Sequence, residues 1–291
     1  MEKTKILWLS GIACNGNAHS FLNYPKLEYF LKNFEFIYHP ILDSNYSLTD
    51  IVQTLIPCDI LIIEGSVSKD FERANISIFE TIFKYGKIVK KIVTVGTCAS
   101  FGGIFKESGE NITGLHFDGT TPINIFKEFQ TKTVSVSGCP IHPETLANTL
   151  FEIKNDIEIK LDIYLRPKET FSYTVHNGCT RNEYFEYKID NHTFGKKEGC
   201  MFYDNGCQAP FTSGSCNKIL WNEVNSKTRS GSPCFGCTEP DFPKRNLFVT
   251  KKNMGIPQFL PKGISKRAYL TIAGVTKAFT IDRLEKGLFD D

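Results

Sequence analysis

Apolar residues in the first half of the chain gather into four short runs, Ile6–Leu9, Ile60–Ile63, Ile92–Val95 and Val134–Val136. Each is followed within a few residues by a turn rich in Gly, Ser or Cys. Continuous apolar runs of this length predict strands covered on both faces, since a strand with one wet face would alternate. Between them lie segments of helical character, among them Asn75–Tyr85 and Pro143–Ile153. Strand, turn and helix in repetition predict an α/β fold, a parallel sheet with helices on both sides. Ligands of such sheets collect at the carboxyl ends of the strands. Those ends carry Cys14, Cys98 and Cys139, so three cysteines distant in sequence are expected along one edge.

The pattern breaks after Arg166–Pro167. From there to about residue 245 the chain is loop-rich and lacks clear periodicity, with Gly, Asn and Ser scattered between cysteines. Long stretches without regular structure are uncommon in compact proteins. They become reasonable where inorganic clusters replace a hydrophobic core. Two domains are expected, 1–166 and 167–291. No internal repeat and no low-complexity tract interrupts them.

The 291 residues include 34 basic and 32 acidic side chains, a formal net charge of +2. This argues against nucleic-acid binding through bulk positive charge. A hydrophobic fraction of 41% excludes wholesale disorder. Charge is uneven locally: residues 242–281 hold eight Lys or Arg and no Asp or Glu. A solvated face is the first reading of that stretch, and a docking site for an acidic surface the second. The run Ile6–Ala13 is short and broken by Ser10 and Gly11. A buried strand explains it better than the core of a signal peptide. No stretch approaches the roughly 18 apolar residues of a membrane span. The expectation is a cytoplasmic chain with no transmembrane segment. Thiols stay reduced in that compartment, so its ten cysteines point to metal more than to disulfides.

The second half holds an ordered series, His176, Cys179, Cys200, Cys207, Cys216, Cys234 and Cys237. Structural zinc prefers two closely spaced ligand pairs. Cys234–Cys237 and His176–Cys179 could supply them, but the remaining cysteines would be stranded. Iron–sulfur clusters accept more scattered thiolates and tolerate a histidine, and the thiolate-rich inventory favours them. Cys58, at the start of an apolar run, reads as a buried structural thiol.

Seven fragments then appear in order: L-W-L-S-G-I-A-C-N-G-N near the start, I-I-E-G-S-V at 62–67, G-T-C-A-S-F-G-G-I at 96–104, G-C-P-I-H-P-E at 138–144, H-N-G-C at 176–179, G-C-M-F-Y-D-N-G-C-Q-A-P at 199–210 and S-P-C-F-G-C-T-E-P at 232–240. Through them the chain resembles the small, electron-transferring subunit of nickel–iron hydrogenases. The resemblance implies a flavodoxin-like domain carrying a proximal cluster, then a domain carrying medial and distal clusters. It also implies a large-subunit partner that holds the nickel–iron site, and no activity toward H2 by this chain alone.

By match to the family's motifs, Cys14, Cys98 and Cys139 ligate the proximal cluster. Asn17 stands where the commonest first motif has a second Cys, so a 4Fe–4S or a 3Fe–4S cluster is expected there. Asn17 is either a direct or nearby cluster-binding residue or an ordinary turn residue. His176, Cys179, Cys200 and Cys207 match the distal 4Fe–4S set, in which an imidazole replaces one thiolate. Cys216, Cys234 and Cys237 match the medial set. Lys227 stands where a fourth Cys can appear, which implies 3Fe–4S there. The resemblance further implies an acceptor beyond the distal cluster: a redox protein, a quinone or a dye-like molecule. A cytoplasmic uptake enzyme and an H2 sensor that signals to a kinase are both consistent with it.

Overall fold

In the computed structural model, which describes residues 2–109, 111–244, 247–261 and 263–279, the apolar runs become strands of one parallel sheet. They are β1 (Thr4–Ser10), β2 (Phe34–Tyr38), β3 (Ile60–Glu64), β4 (Lys91–Val95) and β5 (Thr133–Val136), in the order β2-β1-β3-β4-β5. This is the flavodoxin-like order. β2 escaped the run pattern because F-E-F-I-Y mixes Glu35 among its apolar residues, as an edge strand permits. Ser10 pairs with Glu64, Glu64 with Val95, and Val95 with Val136. One row of residues therefore forms the carboxyl edge.

Six helices flank the sheet: α1 (Gly16–Leu22), α2 (Leu27–Asn33), α3 (Leu48–Thr54), α4 (Ile78–Ile88), α5 (Gly96–Phe101) and α6 (Pro143–Lys154). Successive strand residues point to opposite faces. Leu7, Leu9, Leu61, Ile63 and Ile92 pack with Ile51 of α3 and Ile82 and Tyr85 of α4. Ile6, Trp8, Ile60, Ile62 and Val93 pack with Phe21, Phe30, Leu146 and Leu150 of α1, α2 and α6. Local signals set the helix starts. Ser47 and Asp50 form a capping box on α3, and Ser77 Oγ accepts the Glu80 N–H at 3.2 Å to open α4. That helix begins later than its spacing predicts. Ala74 and Asn75 take left-handed φ of 51° and 59° in the turn of a short ribbon, Glu72–Arg73 with Ile76–Ser77.

The chain divides into two compact units, Met1–Ser172 with Cys237–Phe242, and Tyr173–Gly236 with Pro243–Asp291. The first unit thus runs past Arg166 and takes back a segment that sequence order assigns to the second domain. The buried Arg166 side chain explains both. Its Nε donates to Asp162 Oδ2 at 2.8 Å and its Nη1 to the Thr238 carbonyl at 3.1 Å, and its guanidinium lies 4.9 Å from the Phe171 ring of α7 (Lys168–Phe171).

Regular structure is sparse in the second unit. Among the described residues it comprises α8 (Asn182–Glu186), α9 (Lys266–Ala278), a 3-10 turn at Ala209–Phe211 and a ribbon pairing Lys252–Asn253 with Ile256–Pro257. Buried polar side chains hold its loops instead. Asn217 donates to the Val175 carbonyl at 2.6 Å and accepts from the Ser226 and Thr228 hydroxyls. Arg181 donates to the carbonyls of Thr228, Glu198, Gly199 and Lys196. Among the described residues, no helix is long and apolar enough to cross a membrane.

Two buried histidines make stability depend on acid. Burial pushes both His39 and His116 from 6.5 down to about 4, so the folded protein holds them neutral. The unfolded chain then binds more protons as pH falls. Their contribution is complete above 6.5, declines on acidification and levels off below about 4. His116→Gln should flatten that decline by roughly 3 kcal/mol across the window. Urea unfolding at several pH values checks this, and an unchanged slope would contradict it.

Candidate metal centre

Loops leaving the carboxyl edge bring Cys14, Cys98 and Cys139 to the same end of the first unit. Cys14 follows β1, Cys98 lies in the first turn of α5 beyond β4, and Cys139 follows β5. The Cys14 sulfur is close enough to the Cys98 thiol that its charge helps raise that thiol's pKa. Hydrogen bonds lace the loops together. Thr97 N–H donates to the Gly138 carbonyl at 2.9 Å, and Gly138 N–H returns to Thr97 Oγ1 at 3.0 Å. Ile141 N–H donates to Asn17 Oδ1 at 2.9 Å, and Ser20 Oγ donates to the Ile141 carbonyl at 2.8 Å.

Beneath them the Glu64 carboxylate is wholly buried. It accepts Trp8 Nε1–H at 3.0 Å, Asn17 N–H at 3.0 Å and Ala18 N–H at 3.4 Å. Burial raises its affinity for a proton, and these donors oppose that rise. The Asn17 side chain adds a further hydrogen bond to Glu64. Gly96, at φ 90°, faces the same amide, and a Cβ there would stand 2.4 Å from Asn17 Nδ2. Asn17 is therefore committed to Glu64 and to the Cys139 loop. The structure gives it a bracing role between those two loops.

The first-unit thiols are set in backbone donors. Gly16 N–H points at Cys14 Sγ at 3.4 Å, and the Ile104 and Phe105 N–H groups serve Cys98. Gly103 is required beside them, because its Cβ would come within 2.7 Å of Cys98 Sγ at a φ of 52°.

In the second unit Cys200 feels the charges of Cys207 and Cys179, and Cys207 feels that of Cys179. Burial pushes the Cys200 thiol far up and the Cys207 thiol up to about 11, so both are protonated until a metal displaces the proton. Phe202 N–H donates to Cys200 Sγ at 3.4 Å, and Cys234 N–H donates to Cys207 Sγ at 3.4 Å. His176 is half-buried, its ring edge-on to Phe185 at 4.6 Å. Burial lowers its pKa, which favours the neutral imidazole that binds metals. Arg181 lies close enough to interact electrostatically with all three thiols. Cys216 and Cys234 belong to this unit and Cys237 to the first. Lys227 places its ammonium 4.6 Å from the Phe235 ring centroid.

The donor set fits iron–sulfur chemistry. All ten cysteines are free of disulfides. Among the described residues, no three His, Cys, Asp or Glu side chains converge as a single metal ion requires. A cluster spreads its thiolates over several irons, and N–H donors on sulfur are among the groups that tune it. Cys58 stands apart, packed against the first core with its thiol pushed up to about 12 by burial.

Glu64, Thr97 and Arg181 escape a search for ligands because none is one. Their signals were a charge ending a buried strand, a hydroxyl beside Cys98 and a cation two residues after Cys179.

Residues 171–249 match the family model for the C-terminal part of the NiFe/NiFeSe hydrogenase small subunit, and residues 14–153 match "NADH ubiquinone oxidoreductase, 20 Kd subunit". The F420 non-reducing hydrogenase I small subunit of Methanosarcina mazei is 29% identical over 333 aligned positions, which cover 98% of this chain and 86% of that one. The periplasmic [NiFe] hydrogenase small subunit 1 of Nitratidesulfovibrio vulgaris is 33% identical over 53% of this chain and 48% of its own. Among solved structures, the [NiFeSe] hydrogenase of Desulfovibrio vulgaris Hildenborough superposes with a TM-score of 0.70 at 26% identity, covering 86% of this chain and 98% of that chain. The actinobacterial-type NiFe-hydrogenase of Ralstonia eutropha H16 has a TM-score of 0.73 at 23% identity, covering 96% and 90%; it shares the fold.

The bracing role of Asn17 is separable from ligation. Asn17→Ala should lower stability by about 1–3 kcal/mol through unpaired buried groups, while Cys98→Ser should strip iron from the first set. Iron analysis with urea unfolding checks both. Iron loss from Asn17→Ala equal to that from Cys98→Ser would make Asn17 a ligand.

Proposed function

The chain belongs to the family of nickel–iron hydrogenase small subunits, and from that membership we propose that it relays electrons released by H2 oxidation through three iron–sulfur clusters to an acceptor. As a small subunit it works as an oxidoreductase only in a heterodimer with a large subunit. The observation that carries the relay is the arrangement of thiols. Three sit on laced loops at one end of the sheet, and the histidine-containing set sits in a unit held by polar contacts.

Cys14, Cys98 and Cys139 hold the proximal cluster in this reading, with Asn17 and Glu64 fixing their loops. Cys216, Cys234 and Cys237 hold a medial 3Fe–4S cluster. Lys227, poised over Phe235, supplies no fourth ligand. His176, Cys179, Cys200 and Cys207 hold a distal 4Fe–4S cluster. Such clusters, when bound, pass one electron at a time. The chain's own part is to position thiolates, donate N–H groups to sulfur and keep His176 neutral. Arg181 places a fixed positive charge beside the distal thiolates, which favours the reduced state there. The thiol content supports a cytoplasmic location, which fractionation of the native cells tests.

The anaerobically purified heterodimer should contain about ten irons in this chain, or about eleven if the proximal cluster is a cube. It should reduce viologen dyes with H2. The oxidised complex should show the paramagnetic signal of a 3Fe–4S cluster, lost on Cys216→Ser if the proximal cluster is a cube and reduced to the proximal contribution if it is not. A complex without iron in this chain would overturn the relay; iron without the signal would overturn the medial assignment.

A further inference from the structure

The acidic-free stretch of the second unit is braced directly on the loop that carries Cys200 and Cys207. Thr250 Oγ1 donates to the Phe202 carbonyl at 2.6 Å, and Gly206 N–H donates to Thr250 Oγ1 at 3.0 Å. Tyr203 Oη donates to the Gly255 carbonyl at 2.6 Å, and Lys252 pairs with Asp204 at 2.5 Å. From that anchored ribbon the chain continues into α9. The helix opens on a Ser265 cap and buries Tyr269, whose ring receives the Lys188 ammonium at 4.8 Å. Tyr269 also interacts electrostatically with Asp190 and Cys200, so the helix stands over the His176 set's own loops.

Much of the rest of this segment is exposed. Met254 is 95% exposed, Phe259 67%, Val275 54% and Phe279 72%. Lys251, Lys266 and Arg267 are exposed beside them, and among the described residues no carboxylate is salt-bridged to any of the three. A helix that buries Tyr269 and exposes Ile272 and Val275, three residues apart on one side, has an unpartnered apolar face. Apolar anchors ringed by one sign of charge are the composition of a surface that steers an oppositely charged protein and then grips it.

We propose that residues 247–261 and 263–279 form the docking surface for a small acidic electron-transfer protein, which collects electrons beside the Cys200–Cys207 loop. The proposal rests on the reading of the His176 set as the distal cluster. It favours a protein over an anionic membrane because the patch is built onto the loop from which electrons would leave. A protein carrying its own redox group must come to that loop.

The test uses the intact heterodimer under H2 with two c-type cytochromes, one of low and one of high isoelectric point, and methyl viologen as a small-molecule control. At low salt the acidic cytochrome should be reduced at least about tenfold faster than the basic one, and the advantage should vanish at high salt. The combined variant Lys251→Glu, Lys266→Glu, Arg267→Glu should lose that advantage while viologen reduction and iron content stay unchanged. Equal rates for the two cytochromes in a wild-type complex that reduces viologen would overturn the docking surface alone. A wild-type complex that cannot reduce viologen would overturn the relay, and the docking surface with it. Loss of the large subunit on purification of the variant would show that subunit to be the occupant. Salt-sensitive binding of wild type to phosphatidylglycerol vesicles, abolished in the variant without change in cytochrome rates, would show the occupant to be a membrane. Either result overturns the proposal.

Discussion

A carboxylate with no exposed surface must find its donors inside the protein, and Glu64 finds them in Trp8, Asn17 and Ala18. The end of β3 is thereby locked to the loop after β1 just where Cys14 is presented. Asn17 passes the constraint on to Ile141 and so to the Cys139 loop, and Thr97 closes the circle between Cys98 and Cys139. Three thiols from distant parts of the chain can be held in fixed relation only if their loops are, and loops have no ladder of their own. Gly96 is the cost of this close approach, since no Cβ fits against Asn17.

The two units reach rigidity by different physics. In the first, two apolar layers enclose a sheet and side chains do the packing. In the second, the apolar clusters are small and include the cysteines themselves. Order comes instead from side chains that satisfy several carbonyls at once, Arg181 above all, with Asn217 tying three segments. Such an interior tolerates the polarity that thiolate clusters bring. It also leaves outer elements such as α9 with little to bury, which is why apolar side chains there remain on the surface.

Most of the sheet and the ligand candidates were legible in the chain itself. Runs such as Ile60–Ile63 are too short for a helix and too apolar for a half-wet strand. The turns after Leu9, Val95 and Val136 declared where the cysteines would emerge. Periodicity did not reveal β2, whose polar Glu35 hides it, nor the start of α4, where a left-handed Asn75 continues a helical pattern that its backbone rejects. Only the tertiary structure decided that Asn17 ties Glu64 to the Cys139 loop, that Glu64 lies beneath the cysteine loops, and that Cys237–Phe242 returns to the first unit. The reason is that repeat length and residue type are local properties carried by the sequence. Which amide meets which carboxylate is set by loops far apart in sequence, whose meeting point exists only once the sheet has brought its strand ends together.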